Sequence, residues 1–493
     1  MYIIYFVCFV FAYNAIIAYK ITKFFTNDCA LLTFYYICDT YLYVLSMKKS
    51  LYTIFLLQAI FTLSCNIASA QARIYRSEFV YYDKREDAKQ DIRTNIENYI
   101  TIAPELQFES AEGKVRRVYE QKITIPATWN DYNTYLHLEN IGGDYSLFIN
   151  GEQVTPPVDR FTPSEFYLSP YLVQGENTLA IVVVEEASMR ALDENLKQAE
   201  RKQFDNCYLF AQRRLAIYDY DARLVPDSLN RFAQLRLDVI ADNSFSTDEV
   251  VYIGYDIYDP EGKLKEYSVN DLAMEGYSRD TLSFKPYIYN SNPNRWSPSN
   301  PKLYDLTLYL KVNGILREYI PMKIGFTKYG YTEQGDITAF DAPLKLNKAT
   351  YNAAGDKATT EREIKALKAK GINCLCPDYP QPRWFYDICD RVGIYVIDCM
   401  AISSPTAHDD RDMGGTPANA PWLVDEYIAR AKAMYYRTRH HACIIAFSLS
   451  NTNSGNGYNM YKAYEALKAI GDNRAIIYPY AEGEWNSDIQ TEK

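Results

Sequence analysis

Residues 371–398 read "GINCLCPDYPQPRWFYDICDRVGIYVID". A glycine opens a mostly apolar run, Ile372 to Cys376, and a proline-rich loop follows. The segment "RWFYDICDRV" then carries apolar residues at helical spacing and stops at Gly393, after which Ile394 to Ile397 forms a second apolar run ending on Asp398. Short apolar runs suit strands covered on both faces, and a helix between two of them makes the pair parallel.

The same alternation extends outward. Upstream, "TTEREIKALKAKG" (359–371) predicts a helix with a capping box at Thr360 and Glu363, apolar Ile364 and Leu367, and Gly371 as its stop. "APLKLNKA" (342–349) is the expected first strand. Downstream come helix "PWLVDEYIARAKAMYYR", strand "CIIAFSLSN", helix "YNMYKAYEALKAIG" and strand "AIIYPYA". Residues 331–493 are therefore expected to be a partial (β/α)8 barrel of the TIM type, strands one to five. In such folds reactive side chains sit at the C-terminal ends of the strands. Asn451, Thr452 and Asn453, just past the fourth strand, occupy that address. Thr452 is a weak acid and a weak base, and no carboxylate lies beside it.

The earlier residues change period. Over 71–220, "NTYLHLENIGGDYSLFINGEQV" alternates through Leu136 and Leu138, then Tyr145, Leu147 and Ile149, and turns at Asn150-Gly151, a strong hairpin signal. His137 falls on the face opposite Leu136 and Leu138, where a solvated or hydrogen-bonded histidine is expected rather than a ligand. Residues 221–330 hold short β runs such as "FAQLRLDVIA" and "KLYDLTLYLKVNG" at the spacing of an immunoglobulin-like sandwich.

The N-terminus divides at Met47. Residues 1–46 are apolar and patchy and read as an upstream mis-start. Residues 47–70 have a basic start (Lys48, Lys49), an apolar stretch Leu51–Leu63 and an Ala68-Ser69-Ala70 cleavage site, the pattern of a signal peptide. Export is expected, to a periplasmic or outer-surface location, with Cys65 as a loose lipid-anchor site. Of ten cysteines, Cys8, Cys29, Cys38 and Cys65 lie in this leader. Cys374, Cys376, Cys389, Cys399 and Cys443 fall on predicted strands and helices, as buried thiols do. No CxxC pair occurs and the chain has four histidines, so neither a metal nor another cofactor is implied. A net charge of −10 argues against nucleic acid as a partner. The 46 tyrosines suit strands, with sugar-facing surfaces as the alternative.

The domain order and several motifs together resemble the family-2 glycoside hydrolases, the β-galactosidase and β-glucuronidase group. "YSLFINGEQV…FTPSEFYLSPYLVQGENTLAIVV" is similar to that family's jelly-roll sugar-binding domain. "NRWSPSNPKLYDLTLYL" followed by "IGF" resembles its sandwich domain, and residues 371–398 and "RHHACIIAFSLSNTNSGNGYN" its second to fourth barrel strands. The resemblance implies a retaining β-glycosidase with two carboxyl groups ~5–5.5 Å apart. It also implies an acid/base glutamate directly after the asparagine matched by Asn451. Thr452 stands in that place. Other elements depart too. "NKATYNAAG" replaces an Arg-His-Glu/Asp-His run, Asp378 precedes Tyr379-Pro380 where Arg and His are expected, and Cys399-Met400-Ala401 follows the retained Asp398.

The resemblance puts the nucleophile on a seventh strand, and about 150 residues follow residue 340 against ~250 for a full barrel. A piece of a longer reading frame is expected; the alternative is a homo-oligomer that completes the open barrel. The expected function is a carbohydrate-directed family-2 homologue with impaired catalysis. The alternatives are an enzyme with rewired carboxylates and a non-catalytic carbohydrate-binding or interaction protein. Asn451, Asp398, Asp378 and Trp485 are the expected substrate-binding residues. Glu482 and Glu484 beside Trp485 are expected in a solvated acidic tail.

Overall fold

The computed structural model describes residues 72–89, 98–111, 114–184, 191–226, 233–289, 294–404 and 412–489. The segment 1–46 and the leader expected over 47–70, Cys65 included, lie outside them. Among the described residues no helix is long and apolar enough to cross a membrane.

The strand–helix–strand unit of residues 371–398 belongs to a five-stranded parallel sheet. Its strands run in chain order: β1 (Lys348–Thr350), β2 (Cys374–Cys376), β3 (Tyr395–Cys399), β4 (Ile444–Ser448) and β5 (Ala475–Ile477). Helices α1 (Lys357–Ala369), α2 (Arg383–Val392), α3 (Val424–Thr438) and α4 (Tyr458–Lys468) follow the first four strands in turn. β3 and β4 are buried along their whole length, which is why they read as unbroken apolar runs. α2 turns Phe385, Tyr386, Ile388 and Cys389 inward and stops at Gly393, whose φ of +76° suits glycine.

Two local expectations are corrected. The Thr360/Glu363 capping box does not form: α1 starts earlier, and Asp356 caps it by accepting from the Thr359 N–H at 2.7 Å. Thr360 is buried inside the helix, and Glu363 accepts from the Tyr351 hydroxyl. Aspartate satisfies the free N–H groups as well as threonine, so the earlier cap wins. The stretch 342–349 is also not one strand. Ala342–Pro343 pairs antiparallel with Ile337–Ala339, and the barrel strand begins only at Lys348.

The jelly roll is two five-stranded sheets face to face. Leu136 and Leu138 from one sheet meet Leu147, Ile149, Leu179 and Ile181 from the other, all essentially inaccessible. Asn150 and Gly151 both take positive φ (+53° and +83°) and close the predicted hairpin. The sandwich opens with strand Leu215–Pro226, a few residues before the expected boundary at 221. Its inward residues include Leu237, Val239, Ile253, Ile257, Leu306 and Leu308.

Sandwich and barrel meet at the "WSP…IGF" residues. The Trp296 indole is 2% exposed and donates to the Asp390 carbonyl on α2 at 2.8 Å. The Pro298 carbonyl accepts from Lys368 of α1 at 2.6 Å. Gly325 lies so close to Ala442 and Trp296 that a Cβ there would sit 2.4 Å and 3.0 Å from their Cβ atoms. These residues are the joint between two domains.

His137, expected to be solvated or hydrogen-bonded, is buried between carboxylates. It is 1% exposed and lies 3.7 Å from Glu165 and 4.0 Å from Glu139. Burial opposes its charged form, but the two carboxylates outweigh it and push its pKa up to about 10.

Candidate functional site

The C-terminal ends of the five strands form one rim, and the loop after β4 carries Asn451 and Thr452. Thr452 is partly buried and its hydroxyl is enclosed by others. Its Oγ1 lies 2.7 Å from Ser403 Oγ, 3.2 Å from Ser454 Oγ and 3.3 Å from Ser450 Oγ. The three serines are fully buried. Ser450 Oγ also donates to the Ile402 carbonyl, and the Ser404 N–H donates to Ser454 Oγ. The cluster therefore ties the loop after β3 to the loop after β4. The "SNTNS" spelling places hydroxyls at every second residue, so that three of them converge on one side of the loop.

Chemically the cluster is neutral. A ring of aliphatic hydroxyls donates and accepts hydrogen bonds but has no group that gives up a proton near pH 7. Among the described residues, every side chain hydrogen-bonded to Thr452 Oγ1 is a serine.

Asn451, beside Thr452 on the same loop, reaches the residue before Asp378. Asn451 Nδ2 donates to the Pro377 carbonyl at 2.7 Å. Asp378 accepts from Asn352 Nδ2 at 2.8 Å while its own N–H donates to Asn352 Oδ1 at 2.9 Å, a two-way latch between the ends of β1 and β2. Gln381, fully buried, adds a bond to the Ala353 N–H. Asn352, Asp378 and Gln381 thus form a connected polar network at the ends of β1 and β2.

The jelly roll contributes to the same rim. Its segment 192–200 accepts from the Ser403 N–H through Leu192 O and donates to Ser403 O through the Asn195 N–H. It also donates from the Ala199 N–H to the Tyr379 hydroxyl at 2.7 Å. Asp193 in this segment accepts from Arg430 of α3 at 2.9 Å, and Arg430 binds Glu426 at 2.8 Å. Arg430 is wholly buried. Burial, and then the charge of Asp193, push Asp144 up to about 6. This is an ion-pair network at a domain joint.

Two expected substrate-binding residues lie elsewhere. Asp398 is 0% exposed and points into the helix layer, accepting from Tyr386 of α2 at 2.7 Å and from Thr438 of α3 at 3.0 Å. Burial raises its pKa to about 6, with the two hydroxyls pulling the other way. Its place on β3 is structural, because the neighbouring residues of a strand face opposite sides of the sheet. Trp485 lies past β5 in a groove of about 310 Å³ with Tyr458 and Tyr461, whose lining does not include Thr452. Glu482 is exposed, but the segment is not a free acidic tail. Asn486 and Ser487 are buried, and Asp488 accepts from Tyr464 and from the Ile476 N–H.

Three profiles of one family match the chain in order. "Glycosyl hydrolases family 2, sugar binding domain" covers residues 63–206, "Glycosyl hydrolases family 2" covers 216–326, and "Glycosyl hydrolases family 2, TIM barrel domain" covers 350–491. The β-galactosidase of Streptococcus thermophilus is 26% identical over 73% of this chain and 35% of that enzyme. The β-galactosidase of Priestia megaterium is 27% identical over 73% of the chain and 36% of its own length. The chain thus spans about a third of the length of these curated relatives. Among solved structures, a family-2 glycosyl hydrolase from Bacteroides cellulosilyticus superposes with TM-score 0.60 at 17% identity, over 74% of this chain and 49% of that one. The β-glucuronidase of Bacteroides uniformis gives TM-score 0.62 at 15% identity over 77% and 52%. At such identities the structural likeness establishes the fold.

Proposed function

The chain belongs to the family-2 glycoside hydrolases, and from that premise we propose that it binds carbohydrate at its barrel rim while its hydrolytic step is lost or severely weakened. The observation that carries the reading is the Thr452 cluster. At the position where the family resemblance implies an acid/base glutamate, the side chain is a hydroxyl bound to three serine hydroxyls. A glycosidic oxygen leaving from that rim would receive no proton from it, which removes a contribution of typically ~10²–10⁴ in rate. The β-galactosidase relatives support β-galactosides as the first sugar class to test. The signal-peptide pattern read over residues 47–70 supports an exported location.

The test separates the acid from the nucleophile. Purified protein is assayed with 4-nitrophenyl β-galactoside and with 2,4-dinitrophenyl β-galactoside, with and without azide. The dinitrophenolate leaves without a proton, so an enzyme lacking only its acid would turn over that substrate and azide would accelerate it. The expected result is little or no turnover of the first substrate. Hydrolysis of 4-nitrophenyl β-galactoside at rates ordinary for glycosidases would overturn the reading.

A second reading concerns assembly. Within the described residues β1 and β5 each pair on one side only, and such edges favour pairing with another strand. A homo-oligomer closing the sheet is the form this takes, and a monomer by light scattering at micromolar concentration would remove it.

A further inference from the structure

The sandwich carries a long strand edge that the joints between domains do not use. Strand Leu264–Met274 is the outermost of its sheet. It pairs antiparallel with Glu249–Tyr258 on one side, and no strand among the described residues pairs with it on the other. At 11 residues it is about twice the usual strand length of ~5–6. It contains neither proline nor glycine, and its one irregularity, opposite Tyr258, lies at its first residues. An edge this long, with backbone N–H and C=O groups turned outward, is a template for a further strand.

The side chains say which strand fits. Lys263 and Lys265 stand at the beginning and Asp271 and Glu275 at the end, and none of the four has an ion-pair partner among the described residues. Glu266, beside the lysines, pairs with buried Ile257 and so shares the core-side face of the sheet. Laid antiparallel on a second copy of itself about a two-fold axis at Val269, the strand sets Lys263 opposite Glu275 and Lys265 diagonal to Asp271. A parallel pairing in register would set lysine against lysine and acid against acid, so charge selects the antiparallel one. The apolar side chains agree. On the outer face Tyr252, Tyr267 and Val269 are 44%, 65% and 47% exposed. Val269 lies opposite Gly254, where a Cβ would fall 2.3 Å from the Tyr309 ring, so that ring extends the same apolar strip. An axis at Val269 brings the strips of both copies together.

The geometry points to a self-recognition edge: strand Leu264–Met274 pairs with the same strand of a second copy of this chain, joining two sandwiches into one antiparallel sheet. Such an interface is isologous, each copy giving and receiving the same contacts. It is independent of the sugar-binding reading and of the open barrel edges β1 and β5, which lie in another domain.

The test is sedimentation velocity and light scattering of the full chain at micromolar concentration, with three charge variants. Asp271→Lys with Glu275→Lys makes the edge uniformly basic, Lys263→Glu with Lys265→Glu makes it uniformly acidic, and all four changes together reverse the order of charge. These are surface positions, so each variant should melt at the wild-type temperature. The expected result is a wild-type dimer, at least tenfold weaker in each double variant. Mixing the two double variants should give mixed dimers, and the fourfold variant should dimerise as the wild type does. A monomeric wild type would overturn the proposal. A dimer indifferent to the double variants would also overturn it and place the contact elsewhere, the barrel edges included. Weakening with no recovery in the mixture or in the fourfold variant would show that the order of charge along the strand plays no part, and would overturn the antiparallel pairing.

Discussion

Replacing Thr452 by glutamate puts a carboxyl group back where the family resemblance implies one, and the structure says how little that should achieve. The new side chain would enter a site where Ser403, Ser454 and Ser450 hydroxyls lie within 3.3 Å of the present Oγ1. Hydroxyls that donate to a carboxylate favour its ionised form, so its pKa should be at or below the ordinary glutamate value of ~4.3. At that value about 0.2% of it is protonated at pH 7. General-acid help of ~10²–10⁴, scaled by that fraction, leaves a gain of at most about 20-fold. The assay is the rate of 4-nitrophenyl β-galactoside hydrolysis by Thr452→Glu between pH 4 and pH 8, beside a thermal melt. Any gain should grow as the pH falls. A gain of 10²-fold or more at pH 7 would refute the reasoning, because the rim would then raise the pKa of a carboxyl group there.

Three further expectations follow from the joints. Gly325→Ala forces a methyl against Ala442 and Trp296 and should cost ~1–3 kcal/mol in urea unfolding, with Ala442→Gly recovering a measurable part in a double-mutant cycle; additive effects would mean the contact is not shared. Arg430→Met removes the buried cation between Asp193 and Glu426, leaving buried Asp193 only its 3.3 Å pair with Arg160, and should lower stability by ~3–5 kcal/mol, and adding Asp193→Asn should restore some of it; a melt unchanged by Arg430→Met would contradict the network. His137 binds its proton more tightly folded (about 10) than unfolded (6.5), so its contribution is complete below pH 6.5 and lost as the pH rises through 10. His137→Gln should therefore flatten the decline of stability between pH 7 and pH 10, and an identical decline in both proteins would show that another group carries it.

Local patterns in the chain already contain much of this architecture. The switch from alternating to helical spacing after residue 340, the Asn150-Gly151 turn and the Gly393 stop each follow from backbone chemistry within a few residues, and all appear in the structure. The absence of a carboxyl group at 452 is equally a property of the sequence. The surroundings of that position are not. Ser403 meets Thr452 from a different strand's loop, and the segment 192–200 reaches Ser403 from another domain. Only folding brings such distant residues together. Asp398 shows the limit most clearly. β3 is buried on both faces, so its apolar residues have no alternation to reveal which side chains face the barrel interior. The packing of α2 and α3 made that choice, and it turned the one carboxylate retained from the family motif toward Tyr386 and Thr438.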